Sequence, residues 1–299
     1  MRTTKRFTPD LLERYREAGR GLGTYERYVP WHRVSRNDPA SSGRSHLLLL
    51  AGRPCELLSD KEWVAALFCT MVPELEDLRE QFPLGLTWSP HELGAYDFRL
   101  GGPDLPGTLE IASEYGLRHP RVNGNGRSAP WVMTTDLLLT LRAPSGALRL
   151  LAVSCKSSSD LTCKRTLEKL RIERHYWLTR GAEWLLVTPD LYEELVALTL
   201  RNAMPWGLGQ AVSDEARMSA ADIARRISGY PLCSVLEHIS CALGDLDVAQ
   251  RAFWQAVWSG LLPLDLRRGW RPHLPTVLCT VDGFLALNPI ASRRSSWIN

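Results

Sequence analysis

Residues 133–156 read MTTDLLLTLRAPSGALRLLAVSCK. Residues 137–141 form one apolar, strand-like run and residues 148–156 form a second. Between them, Ala143-Pro144-Ser145-Gly146-Ala147 combines Pro and Gly, the residues that favour a tight reversal. Two such runs across a short loop predict a β-hairpin. With the loop centred near Ser145, Asp136 falls opposite Ser154. Side chains alternate along a strand, so Ser154 and Lys156 share a face. A carboxylate, a hydroxyl and an ammonium would then meet on one rigid surface. That set suits metal-dependent phosphodiester hydrolysis, with the Asp holding Mg²⁺ and the Lys positioning or activating water. An Asp at a strand start and a Lys at a strand end are also ordinary solvated charges. The hairpin alone leaves both readings open.

Before the hairpin, Thr8-Pro9-Asp10 opens a helix that Gly19 ends, with Pro at its first position. A Gly/Ser/Pro-rich segment follows, and its cluster Ser41-Ser42-Gly43-Arg44-Ser45-His46 is either a phosphate-binding turn or a polar loop. Strands are expected at 46–50 and 56–58, then a helix through about Thr70. That helix opens on Ser59-Asp60-Lys61-Glu62, a capping box in which the Glu62 carboxylate caps its own helix. Residues 75–82 read as a strand, and 85–130 show little periodicity beyond a short helix ending at Gly116. After the hairpin come a helix at 166–180, with Leu167, Leu170 and Trp177 on one stripe, and a buried-type strand at 184–188. The order is α/β.

Past Asp190 the pattern turns helical, with helices expected at 191–202, 219–227, 235–243 and 249–260. Residues 277–281 and 284–287 flank Asp282-Gly283, a hairpin signal. Helices followed by a hairpin suggest a winged-helix domain, with a plain helical appendage as the alternative. Trp254 and Trp258, four residues apart, form either one buried helix face or part of a protein interface.

At 299 residues the chain suggests about two domains. The expected division is 1–190 and 191–299. Residues 1–53 hold eleven Arg/Lys against five Asp/Glu, a balance of +6, whereas residues 191–299 balance to zero at ten of each. An Arg-rich start is compatible with phosphate binding, and a neutral C-terminal part is a poor phosphate track. The seven cysteines include no CxxC pair, which argues against a zinc ribbon and fits a reducing cytoplasm. No stretch is apolar enough to span a bilayer, and the basic N-terminus lacks a signal core. Cytoplasmic localisation, away from membranes, is expected.

A family resemblance then emerges from stretches that occur in order across roughly residues 19–190. They include Gly19-Arg20-Gly21, Tyr28-Val29-Pro30-Trp31, Leu57-Leu58-Ser59-Asp60-Lys61-Glu62, Leu78-Arg79-Glu80-Gln81-Phe82-Pro83-Leu84, Gly116-Leu117-Arg118-His119-Pro120 and Met133-Thr134-Thr135-Asp136. The longest is Arg165-Thr166-Leu167-Glu168-Lys169-Leu170, running on to Glu173-Arg174-His175-Tyr176-Trp177. In these the chain resembles the TnsA endonuclease subunits of heteromeric cut-and-paste transposases.

The resemblance implies a restriction-endonuclease-like catalytic core followed by a mainly helical domain. It implies a Mg²⁺-dependent endodeoxyribonuclease, with Mn²⁺ substituting, that cuts the 5′ ends of a transposon. Double-stranded transposon-end DNA, a TnsB-type transposase and a TnsC-type AAA+ ATPase are the implied partners. Glu62, Asp136, Lys156 and Glu173 match the family's catalytic positions. Metal ligation falls to Glu62, Asp136, Ser154 and the Cys155 carbonyl. Ser154 departs from the pattern, since that position is usually Gln or an acid. A hydroxyl is a poorer ligand for a hard cation than a carboxylate. The alternative is therefore a catalytically weakened DNA-binding scaffold that stimulates its transposase partner.

Overall fold

A computed structural model describes residues 6–35, 38, 44–50 and 52–297. In chain order the helices are α1 (Pro9–Glu17), α2 (Asp60–Thr70), α3 (Thr108–Glu114), α4 (Lys164–Thr179), α5 (Glu194–Gly207), α6 (Asp214–Arg226), α7 (Leu232–Leu243), α8 (Leu246–Trp258) and α9 (Val281–Leu287). The strands are β1 (His46–Leu50), β2 (Arg53–Leu57), β3 (Leu75–Pro83), β4 (Arg121–Gly124), β5 (Arg127–Pro130), β6 (Thr134–Arg142), β7 (Leu148–Cys155) and β8 (Glu183–Val187). Contacts divide the chain into two units. The first comprises 1–63, 74–188 and 296–299, and the second comprises 64–73 and 189–295.

The first unit is mixed α/β and is built on a four-stranded sheet in the order β3-β6-β7-β8. The β6–β7 hairpin has the register expected from its loop. Leu137 pairs with Val153 and Leu139 with Leu151, which sets Asp136 against Ser154. Strand β8 pairs parallel to β7, so the chain must cross over between them, and α4 is that crossover. Leu138, Leu150, Ala152 and Leu186 bury against Leu170, Tyr176 and Trp177 of α4. Leu137, Leu139, Leu151 and Val153, on the other face, are also fully buried. A sheet covered on both faces accounts for strands that read as near-continuous apolar runs.

Three further details separate structure from sequence pattern in this unit. Helix α3 spans Thr108–Glu114, and Gly116 follows it at φ +61°. Residues 121–130 form a hairpin, β4 with β5, turning through Asn125-Gly126 at φ +51° and +72°. That Asn-Gly pair is the local signal for a tight hairpin turn. The proposed phosphate turn includes Ser41, Ser42 and Gly43, which lie outside the described residues, as do Arg2, Lys5 and Arg36.

The second unit is mainly helical. Helix α8 is its centre, with Phe253, Trp254, Val257 and Trp258 all buried. The indole of Trp258 lies so close to Gly207 that a Cβ there would come within 2.3 Å of it. Trp254 and Trp258 thus form a buried helix face rather than an exposed one. The expected Asp-Gly hairpin does not form, and with it goes the winged-helix reading. Val281–Leu287 is a helix instead, because the Thr280 hydroxyl accepts the Gly283 N–H at 3.0 Å and Asp282 sits in the first turn. A capping hydroxyl and an acid at a helix start outweigh the turn preference of Asp-Gly. Similarly Ser213, not Ser219, caps α6. No helix of the described residues is long and apolar enough to cross a membrane.

Candidate active site

The end of the β6–β7 hairpin gathers the expected residues. Asp136 Oδ2 accepts the Cys155 backbone N–H at 2.6 Å and the Lys156 ammonium at 2.9 Å. The same ammonium donates to the Cys155 carbonyl at 3.0 Å. Strand pairing alone brings these groups together, because Asp136 lies near the start of β6 where β7 ends. Burial by itself would lower the Lys156 pKa. The charges of Asp136 and Glu173 outweigh it and raise the pKa above the ordinary lysine value. Lys156 is therefore a fixed cation, suited to holding an anion or orienting water.

Glu173 reaches the same region from α4. Its carboxylate is buried and accepts the hydroxyls of Ser154 at 2.5 Å and Thr135 at 2.8 Å. Thr135 Oγ1 in turn accepts the indole N–H of Trp177 at 2.7 Å. Burial raises the Glu173 pKa to about 6; the Lys156 charge opposes this and the Asp136 charge adds to it. Ser154 thus spends its proton on Glu173 and does not bond to Asp136, as a simple shared face would suggest.

Glu62 comes from the first turn of α2. Its Oε1 accepts the Ser59 hydroxyl at 2.9 Å, and Ser59 Oγ accepts the Glu62 N–H at 3.2 Å. Its Oε2 accepts the Leu58 N–H at 2.8 Å and the Gln81 side-chain amide at 2.9 Å. Ser59 thus caps the Glu62 N–H, but the Glu62 carboxylate reaches back to the Leu58 N–H in place of the Ser59 N–H, so only half of the expected capping box is made, and the carboxylate still feels the site. Burial first, and then the negative charge of Asp136, raise the Glu62 pKa to about 7. Gln81 and Thr135 carried no local sequence signal for this site; both enter through strand register.

Among the described residues, no three His, Cys, Asp or Glu side chains converge as a metal cluster. The donor chemistry nevertheless fits a hard divalent cation. Glu62, Asp136 and Glu173 bring three carboxylates against one ammonium, and burial holds two of them above their ordinary pKa. Mg²⁺ commonly uses only one or two protein carboxylates and keeps several waters. Glu62 and Asp136 are the two that would be available to it.

Three of the N-terminal arginines are committed elsewhere. Arg20 pairs with Asp38 at 2.7 Å and Arg33 with Glu56 at 2.6 Å, while Arg53 forms a buried pair with Glu80. Arg118 offers its backbone carbonyl to Arg165.

A mixed four-stranded sheet, an α4 crossover, and acids with a lysine at the hairpin end define a restriction-endonuclease-like core with a helical domain after it. Comparison with known proteins narrows this. Residues 74–189, from just before β3 to just past β8, match the family described as TnsA-like endonuclease N terminal. The chain is 33% identical over 185 residues to the transposon Tn7 transposition protein TnsA of Escherichia coli, covering 61% of this chain and 58% of that protein. Over this part of its length the chain is therefore similar to TnsA proteins. The match spans under two thirds of that relative's length.

Proposed function

We propose that this chain is a Mg²⁺-dependent endodeoxyribonuclease that cleaves the 5′ ends of a transposon during cut-and-paste transposition. The observation that carries the reading is the bond of Lys156 to Asp136 at 2.9 Å, with Glu62 and Glu173 buried beside it at raised pKa. When bound, Mg²⁺ would lower the pKa of the attacking water and offset charge on the departing oxygen. Glu62, Asp136 and the Cys155 carbonyl are the groups we assign to hold it. Lys156 orients the water and meets the charge that builds on the phosphate. Glu173 fixes Ser154 and Thr135 and, through them, the ends of β7 and β6. Ser154 is assigned a role through Glu173 in preference to direct ligation.

Duplex DNA is the proposed substrate. Lys169 lies one turn before Glu173 on α4, and its pKa is lowered by burial and by the nearby charges of Lys156 and Arg165. Positive groups crowded together at a helix start suit phosphate oxygens. We assign residues 1–190 to catalysis and 191–299 to partner contact, with a TnsC-type ATPase as the partner for the latter and a TnsB-type transposase completing the assembly. The zero charge balance of 191–299 favours a protein over a phosphate backbone.

The test is strand-specific cleavage of transposon-end DNA with Mg²⁺ and the transposase partners present. Wild-type cleavage that disappears in folded Asp136→Ala and Lys156→Ala supports the enzyme. Unchanged 5′ cleavage in either variant refutes the site. Stimulation of the partner by a wild type that makes no cut itself would favour the scaffold reading.

A further inference from the structure

Gln81 is a buried, non-glycine residue in the middle of β3 with φ +48°. Its neighbours Glu80 and Phe82 pair with Leu137 and Thr135, which places Gln81 against Asp136. A side chain in left-handed backbone costs on the order of 1–3 kcal/mol and persists only where surroundings impose it. Here the Gln81 carbonyl accepts the Trp31 N–H at 3.2 Å, holding the peptide in that turn. Glycine would meet the backbone requirement with less strain. A long amide side chain in this place therefore points to a role for the side chain. The Gln81 amide N–H₂ has a definite partner, Glu62 Oε2, at 2.9 Å.

We propose that Gln81 is a positioning residue of the metal centre, holding the Glu62 carboxylate in one orientation beside Asp136. The inference rests on the metal-nuclease reading and adds a residue to it. Left with only its contacts to Leu58 and Ser59, the Glu62 carboxylate would lose the hydrogen bond that, among the described residues, reaches it from the central sheet. Partners that orient a ligand in this way typically change metal affinity by about 10–100-fold.

The experiment titrates the full chain with Mn²⁺ by isothermal calorimetry, without DNA, alongside thermal melts. Wild type, Asp136→Ala, Glu62→Gln, Gln81→Leu, Gln81→Gly and the Glu62→Gln/Gln81→Leu double variant are compared. Both Gln81 variants are expected to bind Mn²⁺ at least about 10-fold more weakly. The glycine variant, relieved of its φ, should melt no lower than the leucine variant. In the Glu62→Gln background, Gln81→Leu should cost no further affinity, which a merely structural role would not produce. Wild-type Mn²⁺ affinity in a folded Gln81 variant, or full additivity in the double variant, overturns the proposal. If Gln81→Leu does not fold, Gln81→Gly decides by itself. Loss of binding in Asp136→Ala with both Gln81 variants unchanged defeats only the Gln81 role. Wild-type binding that ignores Asp136→Ala, or no wild-type binding at all, defeats the metal reading beneath it.

Discussion

Two buried acid–base clusters sit in the first unit, and they are built to different rules. In one, Glu80 meets Arg53, and the charges balance one to one. Glu80 Oε1 accepts Arg53 Nη1 at 2.9 Å and the Glu56 N–H at 3.0 Å, while Oε2 accepts Arg53 Nη2. In the other, of three carboxylates, Asp136 alone bonds the Lys156 ammonium, Glu62 and Glu173 feel its charge without touching it, and those two carboxylates have raised pKa values. A balanced pair fixes structure. An acid-rich cluster with raised pKa values is the pattern of a functional site, and in the reading proposed above it receives a cation.

The largest contrast is expected from deletion at the two clusters. Asp136→Ala should reduce DNA cleavage by roughly 1,000-fold or more, the scale for losing a group that stabilises transition-state charge, with a smaller loss of stability than at Glu80, because the Lys156 side chain it leaves is 29% exposed. Glu80→Ala should act oppositely. It strands the Arg53 guanidinium, 4% exposed, without its carboxylate. A destabilisation of about 3–5 kcal/mol is expected in urea unfolding. A Glu80→Ala protein as stable as wild type would end the distinction drawn between the clusters.

A pH experiment sharpens the same comparison. Glu62 and Glu173 have folded pKa values of about 7 and 6, against roughly 4.3 for an unfolded glutamate. Their values are raised, so the stability they contribute is full below about pH 4.3 and is lost as pH rises through 6 and 7. Without metal, the protein should lose on the order of 4 kcal/mol from these groups between pH 5 and pH 8, the larger share from Glu62. Glu62→Gln should recover part of that at pH 8, and Mg²⁺ should recover it in the wild type only. Denaturant titrations at the two pH values, with and without Mg²⁺, read this directly. Equal pH dependence in wild type and Glu62→Gln would show that the acid cluster carries no such strain.

The hairpin was legible because its information is local. Two apolar runs and a Pro/Gly loop set both the strands and the Asp136–Ser154 register. The capping of α2 by Ser59 was equally local. Gln81 was not legible, since only the pairing of β3 with β6, more than fifty residues apart, brings it to Asp136. Asp282-Gly283 misled because the same two residues serve a turn or a helix start, and Thr280 decides between them. The chain order also conceals how α2 is shared. Its Asp60–Trp63 part groups with the first unit, while residues 64–70 group with the second. There Thr70 Oγ1 accepts the Trp258 indole N–H at 2.9 Å, and the Phe68 carbonyl accepts Asn288 Nδ2 at 2.9 Å. A chain cut near Asp190 would strip these partners from the helix that carries Glu62.

The smallest expected effect belongs to Ser154, and it tests whether the acid-rich cluster is organised by its hydroxyls. If Ser154 were a metal ligand, Ser154→Ala would weaken Mg²⁺ dependence directly. The geometry favours another course. The hydroxyl donates to Glu173 Oε1 at 2.5 Å, and Thr135 donates to the same oxygen at 2.8 Å. Removing Ser154's donor leaves Glu173 with one hydroxyl in a buried place, at a cost of about 1–2 kcal/mol in stability. The Glu173 pKa should rise further, because that hydrogen bond favours the charged form. Cleavage should fall by roughly 10-fold or less, with the Mg²⁺ concentration for half-maximal activity unchanged. Ser154→Ala that needs far more Mg²⁺ at unaltered stability would return the hydroxyl to the metal. The expected pattern, a lower melt with an unshifted Mg²⁺ requirement, keeps it with Glu173.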